Sequence, residues 1–153
     1  MHPRLWPVAL AALAVAYPAV SQERKIDETK LPASVRKTVA EQQNGATIKG
    51  FSTEVEHGKR VYEAEMVANG RTRDIEIAAD GSINEIEEEV SLESIPTAVR
   101  QALQKKANGG TITKVESLTR HGKLVGYEAA INRSGKHSEI QVGPQGASLA
   151  GSQ

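Results

Sequence analysis

Residues 31–90 are restated by the chain that follows residue 94, so the sequence predicts one small unit folded twice. Pro32 and Pro96 stand 64 positions apart, and the same offset superposes Val35 on Val99, Val39 on Leu103 and Ile48 on Ile112. His57-Gly58-Lys59 then falls on His121-Gly122-Lys123. One extra residue, Gly126, moves the offset to 65, after which Tyr62-x-Ala64-x-Met66 meets Tyr127-x-Ala129-x-Ile131 and Ile75-x-Ile77 meets Ile140-x-Val142. So many matches with a single gap predict two related units, 31–90 and 95–153, joined by a linker at 91–94.

Each unit opens with a helix pattern. Leu31, Val35 and Val39 recur at four-residue spacing behind Pro32 and stop at Asn44-Gly45; Ile95, Val99, Ala102 and Leu103 repeat the stripe and stop at Asn108-Gly109-Gly110. A helix with one apolar stripe needs a sheet to cover. Strands follow at 47–56, 59–68, 71–78 and 82–90, separated by His57-Gly58, Asn69-Gly70 and Asp80-Gly81. Two-residue connections ending in glycine are hairpin signals because a type I′ turn needs positive φ, so the reading is a four-stranded antiparallel meander.

The turns also fix the register. A turn at 57–58 places Phe51 opposite Ala64 and Thr53 opposite Tyr62; a turn at 69–70 places Ala64 beside Ile75 and Tyr62 beside Ile77. Those residues share one face, which the helix should bury. In the second unit the turn at 121–122 would send Tyr127 to the wrong face, and Gly126 is expected to correct this as a β-bulge. After Gly146 too little chain remains for a full fourth strand, so a stub is expected there. The predicted fold is α+β: two short helices on one face of a seven- or eight-stranded antiparallel sheet, with the opposite face open.

Composition narrows the function. Basic and acidic residues both total 19 and aromatics make up 3% of the chain. A nucleic-acid backbone would find neither a basic surface nor stacking rings, which argues against nucleic acid as a partner. The zero net charge hides a division: 31–90 holds seven basic and twelve acidic residues, a difference of −5, and 95–153 holds eight and three, a difference of +5. With no cysteine in the chain, disulfides, thiolate metal sites and a cysteine nucleophile are excluded.

Met1 to Ser21 has the form of an export signal, with Arg4 near the start, an apolar run from Leu5 to Val20, and small residues at Ala19 and Ser21. Cleavage is expected after Ser21. Pro7 and Pro18 interrupt a run too short to span a membrane comfortably, so no span is expected in the mature chain. Residues 22–30 are charged without apolar periodicity and read as a flexible lead-in. The expected location is periplasmic or secreted.

Leu31-Pro32, Tyr62-Glu63-Ala64 and Ile75-Glu76-Ile77 through Asp80-Gly81 have second copies in Ile95-Pro96, Tyr127-Glu128-Ala129 and Ile140-Gln141-Val142. In this order, behind a signal segment, they resemble the PepSY-like family, also described as β-lactamase-inhibitor-like. The resemblance implies an extracytoplasmic binding module, in some relatives an enzyme inhibitor, with two sheets joined edge to edge. The chain departs from β-lactamase inhibitory proteins in lacking cysteines and in its shortened last unit.

No catalytic constellation is present. His57 and His121 occupy equivalent turns, and neither they nor His137 has a further ligand at metal-site spacing; no Gly-x-Ser-x-Gly elbow and no phosphate-cradling glycine loop appears. The reading is therefore not an enzyme, with no cofactor and no assigned metal ligand. The register that sends Tyr62, Ala64, Ile75 and Ile77 inward sends Glu63, Glu65, Asp74 and Glu76 outward, and the turn at 80–81 adds Glu85 beside Glu76 and Glu87 beside Asp74. Like charges directly opposite on a sheet repel, so these six form the candidate binding face, to be neutralised by water, salt, a cation or a basic partner. Glu128 opposite Gln141 and Ala130 opposite Glu139 give the second unit no such cluster. The leading expectation is a non-catalytic module that binds an unidentified extracytoplasmic protein, acting as an inhibitor or modulator of a secreted or periplasmic enzyme; the alternative is a calcium-type cation-binding protein.

Overall fold

The computed structural model describes residues 23–149; the predicted signal segment lies outside the described residues. The elements are β1 (Arg24–Ile26), a single 3-10 turn (Glu28–Lys30), α1 (Ala33–Gln43), β2 (Thr47–Glu56), β3 (Lys59–Ala68), β4 (Arg71–Ala78), β5 (Ile83–Glu89), α2 (Thr97–Ala107), β6 (Thr111–Arg120), β7 (Lys123–Arg133) and β8 (Lys136–Val142). The eight strands form one sheet in sequence order, and every neighbouring pair is antiparallel. The fold is α+β, with a helix-plus-meander order in each half. No helix of the described residues is long and apolar enough to cross a membrane.

Pro32 and Pro96 stand at the N-caps, and Asn44 and Asn108 end the helices in the left-handed conformation at φ 40° and 45°. Asparagine tolerates that region better than most residues, which is why the two Asn-Gly stops act as terminators. Each helix covers its own core. Leu31, Val35 and Val39 pack with Phe51, Tyr62, Ala64, Met66, Ile75 and Ile77; Ile95, Val99 and Leu103 pack with Val115, Tyr127, Ala129, Ile131 and Val142. An arginine from the sheet completes each helix end. Arg73 donates to the Gln42 carbonyl at 2.9 Å and Arg133 donates to that of Ala107, carbonyls the helices leave without intrahelical partners.

The expected pairings occur: Phe51 with Ala64, Thr53 with Tyr62, Ala64 with Ile75 and Tyr62 with Ile77. The register shift of the β6–β7 pair falls where Leu118 meets Gly126, and beyond it Ser117 faces Tyr127 and Val115 faces Ala129, so the bulge returns Tyr127 to the core side. A second irregularity recurs in both halves, between Ile48 and Gly50 and between Ile112 and Lys114, at the 64-residue offset of the repeat.

Three features differ from expectation. The lead-in includes a strand: Arg24, Lys25 and Ile26 pair with Thr53, Ser52 and Phe51, and Ile26 packs against the first core, an anchor too short to show periodicity. The Asp80-Gly81 connection is not a type I′ turn, since Gly81 has positive φ and Asp80 does not. Instead the Asp80 carboxylate accepts from the Ser82 N–H at 2.9 Å and its hydroxyl at 2.6 Å, and a bulge at Asn84 separates the Glu76–Glu85 pair from the Ile77–Ile83 pair. The eighth strand is supplied by the lead-in, and among the described residues the chain after β8 makes one bridge, Val142 to Ser148.

Candidate functional site

Both helices lie on the side of Tyr62, Ile75, Tyr127 and Ile140, so the opposite side of the sheet carries the outward residues of each strand. The cross-strand pairs there are Glu63–Glu76, Glu65–Asp74, Glu76–Glu85 and Asp74–Glu87, as the turn arithmetic required. Five of the six carboxylates, Glu63, Asp74, Glu76, Glu85 and Glu87, line one small pocket of about 60 Å³. Glu65 is set apart from it and lies 3.9 Å from the Lys25 ammonium on β1.

The seam between the halves adds residues that the hairpin register could not supply. Strands β5 and β6 pair Glu85 with Arg120, Glu87 with Leu118 and Glu89 with Glu116, and Glu116 in turn faces Glu128 on β7. The expected pairs of the second unit, Glu128 with Gln141 and Ala130 with Glu139, are present, and Glu116 and Glu128 extend the acidic group of the first unit from across the seam. Carboxylate oxygens of Asp74, Glu87 and Glu116 lie within 4.8 Å of one another. The seam also brings cations. Arg120 forms an ion pair with Glu85, and Lys114 pairs with Glu116 at 2.8 Å. Part of the charge division between the halves is thus neutralised inside one chain.

Glu116 is only 3% exposed and is held by Lys114 and by the Thr72 hydroxyl at 3.2 Å, which also approaches Glu89. Glu128 accepts from the Gln141 amide at 2.6 Å, and Glu76 accepts from the amide of the bulged Asn84 at 2.8 Å. For Glu63, Asp74 and Glu87 burial dominates instead. Burial, and then the charges of Asp74 and nearby glutamates, push Glu63 up to about 7. Burial and the Glu116 charge push Asp74 up to about 6 against the opposing pull of Lys114. Glu87 is pushed up to about 9 by burial, by Glu128, and by a hydrogen bond shared with Glu85. Burial alone would lower Lys114, but the Glu116 hydrogen bond and charge outweigh it and hold the ammonium above its ordinary value. The arrangement is a protonatable, acceptor-rich surface suited to ammonium, guanidinium or hard-cation groups.

His57 and His121 sit in the hairpin turns at φ 47° and 48°, away from this pocket. Their positions are explained by turn geometry. His137 lies on β8 opposite Asn132.

Solved structures of the same architecture come from Bacteroides. A protein described as periplasmic from Bacteroides eggerthii has a TM-score of 0.60 at 17% identity, covering 78% of this chain and 86% of that one. A BLIP-like protein from Bacteroides fragilis has a TM-score of 0.55 at 20% identity, covering 78% and 83%. The chain has a BLIP-like fold. A DUF2874 family protein from Bacteroides uniformis has a TM-score of 0.58 at 15% identity, covering 80% and 88%. Neither a protein-family model nor a curated protein sequence matches the chain. At these identities the likeness speaks for the BLIP-like fold alone.

Proposed function

We propose that the chain is a non-catalytic, extracytoplasmic protein-binding module that holds a basic segment of its partner on the helix-free sheet face. The observation that carries the reading is the pocket lined by Glu63, Asp74, Glu76, Glu85 and Glu87 on a face that no helix covers. Half-buried carboxylates set opposite one another are unfavourable in isolation, and a lysine or arginine side chain placed among them would relieve the repulsion. The BLIP-like and periplasmic descriptions of its structural neighbours support this reading, as does the export-type N-terminus. Within it, we assign residues 31–90 and 95–153 to two PepSY-like units, cleavage to the bond after Ser21, and the partner to the secreted or periplasmic enzymes that such a module would inhibit or modulate.

The test is capture from a periplasmic extract on immobilised mature chain. Retention of a specific protein, eluted by moderate salt, supports the reading; no retained protein at micromolar bait counts against it. Mass spectrometry of the exported protein should place the N-terminus at Gln22, and retention of Met1 in a membrane fraction would contradict the localisation.

A second reading, a calcium-type cation site, is favoured by the approach of Asp74, Glu87 and Glu116 oxygens within 4.8 Å. Hard cations take several oxygen ligands from such groups. A rise in melting temperature with millimolar Ca²⁺ beyond that from matched NaCl, abolished by Glu63→Gln with Asp74→Asn, supports it. Equal effects of the two salts reject it.

A further inference from the structure

Strand β5 leaves the sheet before its neighbours do. Its pairing with β4 ends at Arg73 and Glu88, so the Thr72 N–H meets no strand partner there and donates instead to the Glu89 carboxylate at 2.9 Å. Its pairing with β6 ends one step beyond Glu89 and Glu116, where the Val90 N–H donates to the Val115 carbonyl at 2.9 Å. The chain then turns toward α2, with the Ser94 N–H donating to the Ser91 carbonyl. Residues 111–114 of β6 run on without a β5 partner, and among the described residues no strand continues the lane.

The departure leaves a notch at the seam between the halves. It holds two adjoining cavities that share Glu89 and Val90: one of about 270 Å³ reaching Ala68 and Arg71, and one of about 130 Å³ reaching Leu92, Ile112 and Lys114. The acidic pocket, which Glu87 lines two residues earlier on β5, has about 60 Å³. An ammonium or guanidinium head suits the smaller space, whereas a bulky side chain has room in the notch. Most polar groups of the notch are already paired: Arg73 with Glu88, Thr72 with Glu89, and Lys114 with Glu116. Val90, Leu92 and Ile112, half-buried against the second core, form its apolar wall.

We propose that the notch is the second part of the partner site and takes a large apolar side chain from the same segment whose lysine or arginine occupies the acidic pocket. This rests on the basic-segment reading above. The acidic pairs Asp74–Glu87 and Glu76–Glu85 flank Ile86, and the notch is level with Val90, so the two subsites lie four residues, or about 13 Å, apart along the strand. Residues four apart in an extended segment face the same side, so the recognised pattern is a basic and a large apolar residue at i and i+4. Charge decides which goes where. Arg71 and Lys114 flank the notch and disfavour a second cation in it, and an apolar group over the pocket carboxylates would strip them of water without pairing them.

The test is backbone-amide NMR of the isotope-labelled mature chain titrated with two acetylated, amidated peptides, Arg-Thr-Ser-Thr-Phe and its reverse Phe-Thr-Ser-Thr-Arg, which cover both chain directions. The tighter-binding peptide should shift the amides around Glu87 together with those of Val90, Leu92 and Ile112. Replacing its phenylalanine by alanine should weaken binding about ten-fold and remove the shifts at the notch while keeping those at the acidic pocket. Because only the peptide changes, no outcome depends on a variant folding. Equal affinity of the phenylalanine and alanine peptides, with shifts confined to the acidic pocket, would overturn the notch assignment and leave the basic-segment reading standing. Notch shifts that persist undiminished when the arginine is replaced by alanine would contradict the basic-segment reading and with it the joint site, leaving an independent apolar cleft. Absence of shifts at both places with millimolar peptide contradicts both.

Discussion

Arg120 of the basic half and Glu85 of the acidic half are cross-strand partners at the β5–β6 seam, and their side chains form an ion pair over the helix-free face. The Glu85 side chain is 14% exposed and that of Arg120 50%, so the pair is partly screened. Arg120→Ala should destabilise the chain by about 1 kcal/mol, the upper end for a partly exposed pair. Urea denaturation measures it, and Glu85→Gln in the Arg120→Ala background should recover part of the loss by removing the stranded charge.

Stability should fall, not rise, as the solution is taken from pH 5 to pH 8. Glu63 and Asp74 have folded values of about 7 and about 6, above the ordinary carboxylate range, so the folded state binds their protons more tightly than the unfolded state does. Their contribution is complete below about pH 4 and is lost as pH rises through 6 to 7, with Glu87 extending the loss toward 9. Asp27 and Asp80 are lowered by their hydrogen bonds to Thr29 and Ser82 and act in the opposite sense, but both are fully exposed. Allowing for solvent screening, the net loss from pH 5 to 8 should be about 1–2 kcal/mol. Thermal melts across that range measure it, and Glu63→Gln with Asp74→Asn should flatten the profile.

How far the sequence carried depends on what ties each pair of strands together. Two-residue turns at 57–58 and 69–70 determine the β3–β4 pairing and the β2–β3 pairing as far as Gly50, so Glu63 opposite Glu76 follows from counting. The β5–β6 seam has no such turn: α2 and its flanking segments intervene, and pairing is set by how the two helix-covered halves meet. Glu116, Lys114 and Arg120 were therefore not legible as members of the site, although their alternation on one strand marked a shared face. Strand β1 escaped notice because three residues cannot display a period. The connection after β4 spans 79–81, one residue more than Asp-Gly alone suggests, and the bulge at Asn84 restores the Glu76–Glu85 pairing.

Gly126 should not tolerate a side chain. A Cβ there would come within 2.4 Å of the Val142 carbonyl oxygen and 3.0 Å of the Leu149 Cδ1, so Gly126→Ala must displace backbone. The expected cost is about 1–3 kcal/mol, as for overpacking. At Gly50 the nearest atom is a Glu65 carboxylate oxygen at 3.8 Å, and Gly50→Ala should leave the melting temperature nearly unchanged.

Arg73 ties the end of α1 to the sheet through the Gln42 carbonyl at 2.9 Å, the Gln42 side-chain oxygen at 3.0 Å, and Glu88 at 2.8 Å. Its side chain is 18% exposed. Arg73→Ala should cost about 1–3 kcal/mol, the range for hydrogen bonds made by a charged donor, whereas Lys37→Ala, which breaks an exposed i,i+4 pair with Glu41, should cost less than about 0.5 kcal/mol. Chemical denaturation of both variants provides the comparison.

The reading of the helix-free face as the binding surface is tested most directly by capture from periplasmic extract on two baits, the mature chain and its Glu63→Gln, Glu76→Gln, Glu87→Gln variant, with equal folded content verified by circular dichroism. The account predicts that the wild-type bait retains a protein partner and that the variant retains at least ten-fold less of it. Equal retention by the two baits would place the binding surface elsewhere on the molecule and contradict the account.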